Sequence, residues 1–230
     1  MNLLALDTSS LACSVALQIG SQISERHEER AREHTRLLIP MILSLLNESG
    51  TALTDVDAIV LGNGPGSFIG MRIAASIAQG LAFGSWLKIV PVSSLAAVAA
   101  QVMAEHDAIE VVVAQDAHMH EVYLGLFQRG SDDIPESTTA EFLHGQSPIA
   151  TLVDKPVAER VAAGFGWSRY PELLAVNREK FMDVLDVFHP RARHLLQMGA
   201  AGLVSGKAIE PEDVMPAYLR QKVAEVPSRP

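Results

Sequence analysis

The residues best placed to do chemistry form one run, Gly62-Asn63-Gly64-Pro65-Gly66-Ser67-Phe68-Ile69-Gly70-Met71-Arg72. A short apolar run, residues 57–61, precedes it, and a long helical pattern follows. Glycines at a strand-to-helix junction accept backbone angles that a Cβ forbids. Ser67 is placed to cap the helix, and unpaired N–H groups at a helix start attract anions. Gly64 and Gly66 are therefore candidates for a phosphate cradle. No Lys-Ser/Thr pair follows, so the run is not a P-loop, and the third glycine of the dinucleotide fingerprint is missing. A tight turn that packs strand against helix is the favoured expectation, because glycine-rich junctions are common.

Acidic groups at strand ends are the second candidate chemistry. Asp7, followed by Thr8 and Ser9, closes one apolar run, and Asp116 closes another. Two such carboxylates facing across a cleft can hold Mg²⁺ and phosphates. Each can equally accept the backbone N–H two residues on and cap its own turn, which is the favoured expectation. His118 and His120 lie one residue apart with no third ligand in view, which points to a solvated turn rather than a metal site. His34, His189 and His194 have no paired ligand spacing. There is no Gly-x-Ser-x-Gly elbow or His-Glu-x-x-His, and the lone Cys13 lies within a strand pattern, so protease chemistry is not expected.

The elements that must position these groups follow from periodicity. Leu3–Leu6 and Cys13–Ile19 read as strands, joined to a polar third strand, 22–29, through a Gly20-Ser21 hairpin turn. Leu37, Leu38, Met41, Ile42, Leu45 and Leu46 recur at helical spacing over 35–48, with Pro40 expected in the first turn. Strand 57–61, a helix over 67–83, strand 88–92 and a helix from Ser93 or Ser94 to 105 complete a β-β-β-α-β-α-β-α order. That order predicts a mixed sheet flanked by helices. Strands at 110–116 and 121–127 repeat the opening in outline. Beyond them the pattern predicts a polar loop over 130–137, a strand near 140–143 and short helices over 148–153 and 156–163. A helix with Pro190 in its first turn runs to 204, and the last residues are expected to be disordered. Two lobes, 1–105 and 106–230, are the expected division.

Bulk properties restrict the function. The 230 residues are 48% hydrophobic and carry a formal net charge of −9. Such a chain buries a substantial core but lacks the basic surface that nucleic acid requires. If it serves a nucleic-acid pathway, a partner holds the nucleic acid. One cysteine, no legible signal peptide and no long apolar span lead to the expectation of a cytoplasmic protein.

The opening Leu4-Ala5-Leu6-Asp7-Thr8-Ser9, the glycine run 64–72, Asp116-Ala117 with Glu121-Val122-Tyr123, and Pro216-x-Tyr218-Leu219-Arg220 together resemble the bacterial TsaB (YeaZ) family. The resemblance spans nearly the whole chain. It implies a two-lobed ASKHA fold (actin, Hsp70, sugar kinase) and a subunit of the machinery that makes N6-threonylcarbamoyladenosine (t6A) in tRNA. It further implies pairing with the catalytic paralogue TsaD and with the ATPase TsaE, a homodimer when alone, and only indirect contact with tRNA. The chain departs from the family at His118, where Arg is usual.

A TsaD-like catalyst carries a His-x-x-x-His metal pair on the helix after the fourth strand. The corresponding run here, Pro91-Val92-Ser93-Ser94-Leu95-Ala96-Ala97-Val98, has no imidazole and no carboxylate, so a metal-centred transfer site is not expected. The expectation is a non-catalytic scaffold, with no cofactor held tightly by this chain alone and Mg-ATP entering only in the complex. Asp7, Thr8, Ser9, Gly64, Gly66 and Asp116 would be relics of nucleotide loops. The interface implied by the resemblance is helical. Ile69, Ile73, Ile77 and Leu81 form a stripe beside the small residues Gly70, Ala74 and Ala78, and Leu37, Leu38, Met41 and Leu45 supply the neighbouring helix. Core burial is the default for both helices. The alternatives are a small ASKHA ATPase or kinase using Asp7 and Asp116, and an RNase H-like nuclease needing several converging carboxylates.

Overall fold

A computed structural model describes residues 1–152 and 159–220. The first sheet has strand order β3-β2-β1-β4-β5, built from β1 (Asn2–Asp7), β2 (Cys13–Ile19), β3 (Gln22–Glu28), β4 (Ala58–Gly62) and β5 (Lys88–Val92). β1 pairs antiparallel with β2 and parallel with β4, so the sheet is mixed, as the element order predicts. The polar third strand lies at the edge, where its outer hydrogen-bonding groups can meet water.

The second sheet repeats the first. Its strands are β6 (Glu110–Asp116), β7 (Val122–Arg129), β8 (Pro135–Ser137), β9 (Phe142–His144), β10 (Arg160–Ala163) and β11 (Asp183–Val184). The order β8-β7-β6-β10-β11 matches β3-β2-β1-β4-β5, with the same antiparallel and parallel pairings. β9 adds to β7. The half-repeat seen in sequence is thus a topological duplication, and the two mixed sheets flanked by helices form an ASKHA-like fold.

Alternation along the strands supplies two faces to each sheet. On the first sheet, Leu4, Leu6, Val15, Ile59 and Leu61 face α1 (His34–Ser49) and α2 (Phe68–Ser85). The opposite residues, Leu3, Ala5, Ala16, Val60 and Val90, meet Ala97 of α3 (Ser94–Glu105) and Ala192, Leu195 and Leu196. α3 also covers Val111, Val113 and Phe127 of the second sheet, and so lies between the sheets. The outer face of the second sheet packs on Trp167 of α4 (Phe165–Arg169) and Leu173 of α5 (Pro171–Asn177).

Several local expectations are corrected. Pro40 lies inside α1, beyond its first turn. It sits on the solvent face, where water can satisfy the carbonyl that its missing N–H leaves open. The helix expected over 156–163 is strand β10 in its described part. Residues 156–158 lie outside the described residues, as does the tail expected to be disordered beyond 220. The polar loop 130–137 contains a single 3₁₀ turn and β8. Pro190 precedes the helix, which starts as a 3₁₀ turn at Ala192–Leu195 and continues as α6 (Leu196–Val204). Contacts cross the expected boundary between 1–105 and 106–230. Residues 192–204 pack on the first sheet, and Ile209 bridges to Ile89 of β5. Residues 192–209 therefore return to the first lobe.

Candidate functional site

The glycine loop folds inward. Ser67 caps α2 by accepting the Gly70 N–H at 3.2 Å. Its own N–H donates to the Ser9 carbonyl at 2.6 Å, and the Gly64 N–H donates to Ser94 Oγ at 3.0 Å. Thr8 Oγ1 donates to the Gly70 carbonyl at 2.7 Å. A Cβ on Gly70 would stand 1.9 Å from the Thr8 carbonyl oxygen, and one on Gly66 would stand 2.2 Å from that of Ser9. Gly64 holds φ +85°, in the left-handed region. The glycines therefore let this loop press on the Asp7-Thr8-Ser9 turn. Three of the N–H groups available to a phosphate, those of Gly64, Ser67 and Gly70, are already used within the protein.

Asp7 is 1% exposed. Its carboxylate accepts the N–H and hydroxyl of Ser9 at 2.7 and 2.8 Å and the Ser94 hydroxyl at 2.5 Å. Burial raises its pKa above the ordinary 3.8, and the Ser94 and Ser9 hydrogen bonds offset only part of that. The unfolded chain therefore loses this proton at a lower pH than the folded one. Asp7 makes stability fall as pH rises from about 3.8 through its folded pKa. Asp7→Asn should flatten that slope in urea unfolding at a series of pH values. An unchanged slope would show that Asp7 ionises normally in the fold.

Asp116 caps its own turn, accepting the His118 N–H at 2.8 Å, and also accepts the Tyr170 hydroxyl at 2.8 Å. It opens on a cleft of about 870 Å³, lined in part by Ser9, Arg32, His34, Ile69, Phe165 and His189. Asp7 does not line that cleft, so the two carboxylates are not presented together to it. His118 is a solvent-facing turn residue, and no cluster of three metal-ligating side chains occurs among the described residues. The segment Gly164-Phe165-Gly166 is a strand-to-helix turn, pressed against the backbone of Ala114.

The two long helices lie side by side on the first sheet, and burial divides the expected interface residues. Leu38, Leu45, Ala74 and Ala78 are at most 1% exposed, while Met41 and Gly70 are also buried. These six pack toward the interior of the chain. Leu37, Ile73, Ile77 and Leu81 are half-buried at the margin. Ile69 alone of the expected set is mostly free, 70% exposed. The rest of the outward surface consists of residues that the sequence analysis did not select: Ile39 and Leu43 on α1, and Phe68, Ser76, Gly80 and Phe83 on α2. A second small-residue strip, Ser76-Gly80-Gly84, runs along this outer face at a spacing of four. A Cβ at Gly80 or Gly84 would meet nothing within 4 Å.

The C-terminal segment straps the two lobes together. Asn63 Nδ2 donates to the Met215 carbonyl at 2.9 Å, and the Ala217 N–H donates to that of Asn63 at 3.0 Å. Arg72 Nε donates to the Tyr218 hydroxyl at 2.9 Å. Arg220 then clamps the β6–β7 turn through the Ala117 carbonyl at 3.0 Å and Glu121 at 2.6 Å. The sequence contained a signal for this in Pro216-x-Tyr218-Leu219-Arg220, but periodicity assigns such a segment no partner.

Comparison with known proteins agrees with this architecture. The family model described as "TsaD: tRNA N6-adenosine threonylcarbamoyltransferase" matches residues 21–227. An Escherichia coli K12 protein named tRNA threonylcarbamoyladenosine biosynthesis protein TsaB is 37% identical, covering 97% of this chain and 96% of its own. A Haemophilus influenzae protein of the same name is 36% identical, over 97% and 95%. The solved structure of YeaZ from Pseudomonas aeruginosa superposes with a TM-score of 0.85 at 36% identity, over 95% of this chain and 99% of its own. With its duplicated mixed sheets, glycine loop and C-terminal strap, the chain belongs to the TsaB (YeaZ) family.

Proposed function

We propose that this chain is a non-catalytic subunit of the t6A machinery, serving tRNA modification by binding and activating a TsaD-type catalytic paralogue. A TsaE-type ATPase joins the pair, and tRNA contacts the paralogue rather than this acidic chain. The observation that carries this reading is the outer face of α1 and α2. Ile39, Leu43, Ile69 and Phe83 are exposed there, 46–75% each, beside the open strip Ser76-Gly80-Gly84. Small residues on one helix allow another helix to approach closely, and apolar neighbours fill the flanks. A cluster of exposed apolar side chains is the mark of a docking surface.

Catalysis is assigned to the partner for two reasons. The N-terminus of α3 presents Ser93 and Ser94, which cap the helix and bind Asp7, where a metal-dependent transferase needs imidazoles. Asp7 is engaged in the interior, which also weighs against an independent ATPase or kinase. We assign any nucleotide to the assembled complex, not to the isolated chain. In the absence of the paralogue the same outer face supports a homodimer.

The test is association of the purified chain with its purified TsaD-type paralogue, followed by light scattering. Gly80→Arg places a long cation on the strip without touching the core, so it should abolish the heterodimer while the circular dichroism and melting of the monomer persist. Full association by a folded Gly80→Arg variant would remove this face from the proposal.

A further inference from the structure

The β6–β7 turn has a backbone that L residues rarely adopt. His118, Met119 and His120 have φ +60°, +54° and +60°, three successive non-glycine residues in the left-handed region. A Cβ there crowds the following carbonyl, so such residues occur singly as a rule. A run of them persists only where the surroundings impose it. All three residues are exposed, so core packing does not impose it. His118 touches Asp116 and His120 touches Gln146, each at 3.3 Å. Arg220 supplies the contacts from outside the hairpin. Its side chain, 14% exposed, donates to the carbonyls of Ala117 and His118 at 3.0 and 3.3 Å. It also donates to Glu121 at 2.6 Å and to Met119 Sδ at 3.4 Å. One guanidinium therefore touches both ends and the middle of the turn.

Arg220 belongs to a strap whose successive residues hold opposite lobes. The Ala217 N–H donates to the Asn63 carbonyl. Tyr218 stacks on Phe68 with ring centres 5.7 Å apart, and its hydroxyl accepts Arg72 Nε at 2.9 Å. Leu219 then packs on the cluster of Val111, Val113 and Phe127, and Arg220 takes the turn. Two extended residues span only about 7 Å, which leaves little slack between Tyr218 and Arg220. The turn that Arg220 holds also forms part of the cleft, because Asp116 and His118 line it together with Ser67 and Ile69 of the glycine loop and α2. We infer that the strap is a latch: Tyr218, seated on the exposed start of α2, holds Arg220 in place, and Arg220 holds the left-handed turn. Release of either residue lets the turn relax and reshapes that wall of the cleft. The strap thereby couples the surface of α2 to the cleft through an element with two arrangements. The inference does not depend on what binds at either place.

The experiment reads amide hydrogen exchange by NMR on the full chain. The reporters are Ala117 and Glu121, whose N–H groups bond to the Glu121 and His118 carbonyls inside the turn at 3.0 Å each. Val113, in the middle of β6, is the reference. Arg220→Ala should speed exchange at both reporters about tenfold or more while Val113 keeps its rate, the mark of local rather than global opening. Tyr218→Ala removes no contact with the turn, yet should speed the same two amides severalfold. Met119→Gly in the Arg220→Ala chain should restore part of the protection, because glycine accepts the left-handed region without the clash. A merely general loss of stability would not be rescued in this way. The inference is overturned if Arg220→Ala leaves both reporters protected, if Val113 accelerates as much as they do, or if glycine restores nothing. Reporters unmoved by Tyr218→Ala overturn the coupling to α2. Should Arg220→Ala fail to fold, Tyr218→Ala read against Val113 decides the question by itself.

Discussion

Ala74→Arg is expected to unfold the protein, whereas Gly80→Arg, six residues along the same helix, leaves it folded. Ala74 is fully buried in the cluster that contains Leu38, Leu45, Ile59 and Leu61. An arginine there must either bury an unpaired charge or force α2 away from the sheet. Burying a cation without a partner costs several kcal/mol, and displacing the helix exposes much of the apolar cluster. A loss of about 5 kcal/mol or more is comparable to the whole stability of many domains. The variant should therefore appear in the insoluble fraction or melt without a cooperative transition. A soluble, cooperatively melting Ala74→Arg protein would show that α2 is rotated from the orientation described. The contrast matters for any interaction assay, because loss of binding by Ala74→Arg would report unfolding rather than a lost contact.

Gly70→Ala should be the most damaging methyl addition in the glycine loop. The new Cβ would lie 1.9 Å from the Thr8 carbonyl oxygen, a backbone atom that cannot swing aside. The same carbonyl belongs to the turn in which Asp7 accepts the Ser9 N–H, so relief of the clash disturbs a buried carboxylate and its partners. Overpacking of this kind costs about 1–3 kcal/mol and occasionally more. We expect about 3 kcal/mol, read as a lower urea midpoint at unchanged slope. The control is Gly84→Ala, on the same helix with open space around it. Removing a helical glycine there should stabilise by about 0.5–1 kcal/mol. Equal effects at the two positions would contradict the close approach of α2 to the Thr8 turn.

Local pattern was enough for much of the architecture. Alternation in Cys13–Ile19, the Gly20-Ser21 turn, the serine caps at Ser67 and Ser93 and the recurrence of a strand ending in aspartate all act over a few residues. They determine backbone geometry there regardless of the rest of the chain. From them followed the order of elements in the first lobe, the mixed sheet and the duplication. The turn-capping roles of Asp7 and Asp116 were legible for the same reason, since an aspartate reaches its own backbone two residues on.

Which face of α2 points inward was not determined this way. The helix is apolar or small at nearly every position and holds two small-residue strips, Gly70-Ala74-Ala78 and Ser76-Gly80-Gly84. Either strip could have met the sheet. Packing against β4 and α1 buried the first and left the second in solvent, which transferred the candidate surface to Gly80, Ile39, Leu43 and Phe83. The return of residues 192–204 to the first sheet and the stacking of Tyr218 on Arg72 depend on contacts between segments more than a hundred residues apart. The sequence by itself determined the family, the strand and helix order and the turns that short-range hydrogen bonds specify. Only the tertiary structure decided which side chains reach the surface, because burial depends on what the rest of the chain brings against each face.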